Sequence, residues 1–187
     1  KLGVLLIGAH LGNWEVLCPA LSEQGYSTSM YVGAQTNPLT DELQNKTRRK
    51  WGIHTIGKGK KAAMQMWDAL NENRAVGMLI DQDERKSGVF VDFFGKAAST
   101  NTGAAAFHLM HKSPIILFSC PYARNRVKIK FQRITFQSSG NGEEDLRDLT
   151  QQIVSGLELM IRRNPEQYFW MHRRWRTRPP GDYSTSY

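Results

Sequence analysis

Three short, unbroken apolar runs constrain this chain more than any other feature. Val4-Leu5-Leu6-Ile7 lies between Gly3 and Gly8, Ala75 to Ile80 forms the second run, and Pro114 to Cys120 the third. Apolar runs without polar alternation suit strands buried on both faces, and such strands belong to parallel sheets covered by helices. Helical and strand-like segments alternate between the runs every twenty to thirty residues. The expectation is an α/β fold, an αβα sandwich with a largely parallel central sheet.

The intervening segments fill in this outline. Trp14 to Ser22 reads as a helix that Pro19 ends or kinks, Thr28 to Val32 as a strand, and Glu42 to Trp51 as a basic helix closed by Gly52. A short strand at Ile53 to Ile56 and a helix at Ala62 to Leu70 follow. Val89 to Phe94 fits either a strand or a surface-facing hydrophobic loop. Ser99, Thr100 and Thr102 offer caps to a helix from Gly103 to His111. Val127, Ile129 and Phe131 alternate with Lys128, Lys130 and Gln132, as in an edge strand. Leu146, Leu149, Ile153, Leu157, Met160 and Ile161 share one helical face, with Glu143, Glu144 and Asp145 at its start.

Polar residues stand where two of the apolar runs stop: His10 after the first, Asp81-Gln82-Asp83 after the second. Open α/β sheets bind ligands at the carboxyl ends of their strands. Glu15 follows His10 by five residues, a spacing that on a regular helix leaves the side chains roughly 140° apart. A turn at Gly12-Asn13 instead lets Glu15 reach back to one ring nitrogen of His10, leaving the other to take a proton. This is the base-plus-orienter arrangement by which imidazole activates a hydroxyl. Asp81 and Asp83 lack a third ligand nearby, so hydrogen-bonding loop residues are favoured over a metal site. His108 and His111, three apart, likewise lack a third ligand and read as structural or solvent-exposed. Gly57-Lys58-Gly59-Lys60-Lys61 resembles a phosphate loop in composition only. Neither GxGxxG nor GxSxG occurs, which weakens dinucleotide and nucleophile-elbow readings.

The 187 residues suit one domain, and their net charge of +8 calls for acidic partners: phosphate-bearing lipid, an acidic carrier protein, nucleic acid or an anionic membrane. Six arginines fall between Arg162 and Arg178 among Tyr168, Phe169, Trp170 and Trp175. No stretch approaches the roughly 20 apolar residues that span a bilayer. Cys18 and Cys120 are too few for a disulfide framework and are expected to be buried free thiols. The chain begins at Lys1, almost inside its first strand, which suggests an N-terminal truncation that removed any membrane anchor. Two rival classes remain beside an enzyme: a nucleic-acid-binding module, which the basic aromatic C-terminal stretch supports but His10 and Glu15 do not, and a noncatalytic lipid or carrier-protein binder.

Three stretches together resemble the lipid A biosynthesis acyltransferases, the lauroyl and myristoyl transferases of the wider lysophospholipid and glycerol-phosphate acyltransferase superfamily. They are His10-Leu11-Gly12-Asn13-Trp14-Glu15, matching H-x4-D/E; Asp81-Gln82-Asp83 with Gly88 to Gly95 and Thr100 to Gly103; and Asn164 to Trp175 with Arg178-Pro179. Ala97 stands where that family commonly has proline, and the loop after Tyr31 lacks an arginine often found there. The resemblance implies a glycerol-phosphate-acyltransferase-like fold and transfer of a fatty acyl group to a lipid hydroxyl. The donor would be an acyl carrier protein or coenzyme A thioester and the acceptor a phosphorylated lipid A precursor, with another glycolipid or a lysophospholipid as alternative acceptor. Catalysis would fall to His10 and Glu15. Substrate binding would fall to Asn13, Arg48, Asp81, Asp83, Arg173 and Arg174, the last two clamping acceptor phosphates and Asp81 and Asp83 holding an arginine or shaping the pocket. Arg48, in an R-x-x-x-G stretch ending at Gly52, would serve as oxyanion donor or phosphate contact. No metal, cofactor or nucleic acid is expected, and the implied setting is the cytoplasmic face of a bacterial inner membrane.

Overall fold

The three apolar runs pair side by side. The computed structural model describes residues 2–182, so Lys1, on which the reading of a truncated start rests, lies outside the described residues. The first half contains β1 (Val4–Gly8), a 3-10 turn at Trp14–Val16, α1 (Leu17–Glu23), β2 (Thr28–Val32), α2 (Pro38–Lys50), β3 (His54–Gly57), α3 (Ala62–Asn71) and β4 (Ala75–Leu79). The second contains β5 (Val89–Phe93), β6 (Lys96–Thr100), α4 (Gly103–His111), β7 (Ile115–Ser119), β8 (Tyr122–Ala123), β9 (Arg126–Val127), β10 (Lys130–Arg133) and α5 (Gly142–Arg162). Shorter 3-10 turns occupy Arg85–Ser87 and Pro165–Gln167.

The central sheet runs β10-β7-β1-β4-β2-β3. Every pairing in it is parallel except that of β10, which closes one edge antiparallel to β7. Alternation along β1 sends Leu5 and Ile7 to one face, where α3, α4 and α5 cover them, and Leu6 to the other, with Leu17 of α1, Phe118, Val127 and Ile129. Leu5 and Ile7 are fully buried, and each such side chain contributes roughly 1.5–3 kcal/mol. Cys18 and Cys120 are buried free thiols, both pushed up to about 12 by burial first of all.

Local expectations shift where tertiary contacts decide. The 3-10 turn at Trp14–Val16 delays α1 to Leu17. Pro19 therefore falls in the first helical turn, where its missing N–H has no partner to lose, and it neither ends nor kinks the helix. Residues Val89 to Phe93 form a strand paired with Lys96 to Thr100 across a two-residue turn. Phe94 and Gly95 both have positive φ there, as the tight hairpin turn requires. Ser99 and Thr100 thus belong to β6, while Asn101 accepts from the Gly103 amide at 2.8 Å. His108 and His111 both serve the α4–β7 corner, bonding Ser113, and His111 also reaches Asn71.

The loop after β1 is pinned from two sides. Asn13 N donates to Cys120 O at the end of β7, and Gly12 N donates to Gln167 O, which follows α5. Gly12 adopts φ +66°, and a Cβ there would meet Cys120 O at 2.1 Å. Gly12→Ala is therefore expected to cost about 3 kcal/mol or more, read as a lowered midpoint in urea unfolding.

At the far end of the chain, Asn141 caps α5 through the Glu143 and Glu144 amides. Asp145 turns back to accept from Ser138 Oγ, the Ser139 amide at 2.7 Å and Ser139 Oγ at 2.9 Å. Those bonds, the Ser138 hydroxyl first, hold its carboxyl below the usual range. A carboxyl lowered in the folded state lends stability above its unfolded pKa and loses it as pH falls through the folded value. Asp145→Asn should therefore lower the neutral-pH urea midpoint and flatten its decline toward about pH 3.

Candidate functional site

β1 and β4 pair with a constant offset, Val4 opposite Ala75 and Gly8 opposite Leu79. His10 and Asp81 differ by the same 71 positions, so two residues beyond the ladder they still face each other. The His10 amide donates to Asp81 Oδ2 at 2.9 Å, and Nδ1 lies 2.8 Å from Asp81 Oδ1. A carboxylate accepts, so in a neutral ring this contact favours the proton on Nδ1 and leaves the lone pair on Nε2. The His10 side chain is 19% exposed and that of Asp81 3%. The imidazole can meet a substrate while its carboxylate stays behind it.

The carboxylate on His10 is thus that of Asp81 rather than Glu15. Trp14 sets its ring edge-on to His10 at a centroid distance of 4.7 Å, and the 3-10 turn carries Glu15 toward α2. There Glu15 Oε1 accepts from Arg48 Nη2 at 2.8 Å. Arg48 is buried, the one buried residue of α2, and its Nε has no hydrogen-bond partner. The Asn13 side chain, beside the His10 loop, makes no hydrogen bond among the described residues and is half-buried.

The C-terminal segment closes over this centre. Leu11 and Tyr168 form an antiparallel bridge, and Phe169 N donates to His10 O at 3.0 Å. Burial first, and then the nearby Asp81 carboxylate, push the Tyr168 hydroxyl well above its ordinary pKa. Asp83 N donates to His172 Nε2 at 2.8 Å, and Asp83 Oδ2 accepts from Thr177 Oγ1 at 2.8 Å. His172 Nε2 is therefore an acceptor, and burial lowers the ring's pKa. Sequence reasoning passed over Tyr168, His172 and Thr177 as site residues, although the first two lie within the C-terminal stretch that carries the resemblance.

The paired arginines separate. Arg174 is 2% exposed, donates to Ser99 O and to Thr100 Oγ1, and lies over the Phe93 ring at 5.3 Å. It braces the β5–β6 hairpin and is not available to clamp a headgroup as expected. Burial pulls its pKa down, with Tyr168, Asp81 and Asp83 opposing. Arg173 is exposed. With Asp83, Phe169, His172 and Arg176 it lines a cleft of about 1170 Å³ that Lys58, Arg85 and Lys86 make predominantly basic. Phe169 joins that cleft to His10, its ring 6.3 Å from the imidazole. Among the described residues no group of three His, Cys, Asp or Glu side chains is placed to hold a metal ion.

A histidine at a parallel strand end beside a basic cleft accords with what the chain is similar to. The family model for bacterial lipid A biosynthesis acyltransferases matches residues 1–177. The lipid A biosynthesis lauroyltransferase of Escherichia coli is 30% identical over 188 residues, covering 97% of this chain and 58% of that protein. The palmitoleoyltransferase of the same organism is 25% identical over 185 residues, with coverage of 97% and 58%. A lipid A biosynthesis acyltransferase of Haemophilus influenzae is 29% identical over 186 residues, with coverage of 96% and 57%. The chain thus spans a little over half the length of these relatives. It belongs to the bacterial lipid A biosynthesis acyltransferase family.

Proposed function

We propose that this chain is an acyltransferase domain of glycerol-phosphate-acyltransferase-like architecture, which moves a fatty acyl group from a thioester to a hydroxyl of a lipid A precursor. The donor is acyl carrier protein or coenzyme A. The observation that carries this reading is the His10–Asp81 pair, whose 2.8 Å contact at Nδ1 leaves Nε2 able to accept a proton. Family membership supplies the substrate class.

In the proposed reaction, His10 Nε2 takes the proton of the acceptor hydroxyl as its oxygen attacks the thioester carbonyl. The imidazolium, held by Asp81, then returns that proton to the departing thiolate as the carbon–sulfur bond breaks. The enzyme forms no covalent intermediate. Asp81 takes the orienting role that spacing suggested for Glu15, and Glu15 instead holds the buried Arg48 of α2. The half-buried side-chain amide of Asn13, in the loop that follows His10, is the side-chain donor offered to the oxyanion or the acceptor.

The basic cleft receives the acceptor phosphates, with Arg85, Arg173 and Arg176 as its exposed guanidinium groups. We place the reaction at the cytoplasmic face of the inner membrane; the exposed Phe169, Trp170 and Met171 beside that cleft support contact with a membrane surface. Among the described residues no helix is long and apolar enough to cross a membrane. The reaction as written calls for no cofactor.

The test is turnover of lauroyl donors with a detergent-solubilised lipid A precursor, with products read by mass spectrometry beside other glycolipid and lysophospholipid acceptors. His10→Ala should lower kcat by about 10²-fold or more, and Asp81→Asn should do the same because the ring loses its fixed tautomer. Glu15→Gln, which leaves His10 and Asp81 paired, should retain more activity than Asp81→Asn. Activity that survives His10→Ala, or no acylated product from any acceptor, would refute the reading.

A further inference from the structure

We propose that the β8–β10 ribbon is the docking surface for an acidic protein that delivers the acyl thioester, a proposal that rests on the acyl-transfer reading above. From Tyr122 to Arg133 the chain carries Arg124, Arg126, Lys128, Lys130 and Arg133 and no acidic residue. All five are exposed, and none forms an ion pair among the described residues. By contrast, Arg48, Arg49, Arg74, Arg162 and Arg178 each meet a carboxylate. Unpaired like charges held this closely repel one another and favour an anionic partner.

The ribbon is built to present them. Val127 and Ile129 turn inward onto the cluster around Leu6, Leu17 and Phe118, which leaves Arg126, Lys128 and Lys130 facing out. Beside β10 a concavity of about 340 Å³ is lined by Lys130, Phe131, Met160 and Arg163. Apolar side chains among basic ones suit an acidic helix carrying a few apolar residues.

Position links this surface to the base. Gln167 clamps Tyr122 through its amide, at 2.7 Å to the backbone N and 3.1 Å to the backbone O, while its own carbonyl accepts from Gly12. Trp14, against the His10 ring, packs in the same cluster as Val127 and Ile129. In the sheet, β7 and β10 lie on one side of β1, whereas β4, β2 and β3 lie on the other. The acceptor cleft belongs to the β4 side, and so do Leu39 and Leu43 of α2 and Met171, which are 82%, 65% and 83% exposed. A lipid approaching that apolar side leaves the ribbon open to water and to a soluble carrier.

The experiment compares two lauroyl donors, an acyl carrier protein and pantetheine, in wild type and in Arg124→Glu/Arg126→Glu/Lys128→Glu. With the carrier donor, kcat/KM should fall about tenfold or more, mainly through KM, and the wild-type value should itself fall with added salt. Lauroyl-pantetheine turnover should stay within about twofold, and the milder Arg126→Gln/Lys128→Gln should show the same donor selectivity if the triple variant folds poorly. Equal losses on both donors, or none on either, would overturn the proposal. Fluorescence anisotropy with labelled acyl carrier protein reads docking without turnover, so it decides even if no donor reacts and the acyl-transfer reading fails. Wild-type binding that the triple variant abolishes supports the surface. No carrier binding, or carrier binding that persists while sedimentation with phosphatidylglycerol vesicles is lost, rejects it in the second case in favour of a membrane contact.

Discussion

The parallel pairing of β1 with β4 in a single register governs the site. It brings His10 and Asp81 together beyond the ladder, where the carboxylate accepts from the backbone N–H of the histidine and meets its ring at Nδ1. A slip of one residue would turn every side chain of the strand to the opposite face and separate the pair. The C-terminal segment then depends on the loop so formed, since Phe169 and Gln167 bond to the backbone of His10 and Gly12. Asp83, two residues along from Asp81, ties His172 and Thr177 to the same edge.

Charge is distributed around that centre according to burial. Arg48 and Arg174 are buried and engaged by Glu15 and by the β6 backbone and hydroxyl, so they act as braces whose removal would leave polar partners unsatisfied. Arg173 and Arg176 remain at the cleft, and the ribbon arginines remain at the opposite flank. His10 sits between two basic surfaces. In the transfer we propose, that placement would give the lipid acceptor and the thioester donor separate approaches to His10.

Elements whose burial follows a simple period were legible in the sequence. β1, β4 and β7 are unbroken apolar runs, and α5 shows its apolar stripe from Leu146 to Ile161. The β5–β6 hairpin was harder to read, because Ser99 and Thr100 look like capping residues until Arg174, far along the chain, supplies their partner. At the site, His10 was identifiable from its strand end, and Asp81 as a polar residue at the neighbouring one. Their pairing depends on strand order and register, which no local spacing encodes, so Glu15 was the nearer candidate. Arg173 and Arg174 are identical in type and adjacent in sequence, and only packing against Phe93 distinguishes the buried one.

The tautomer of His10 tests the pairing most directly. Long-range proton–nitrogen correlation spectra of ¹⁵N-histidine-labelled protein, recorded where the ring is neutral and assigned with His10→Gln, report which nitrogen bears the proton. A proton on Nδ1 with an unprotonated Nε2 is the expected result, because Asp81 accepts at Nδ1. A neutral ring protonated at Nε2 would contradict the pairing and remove the base on which the proposed transfer depends.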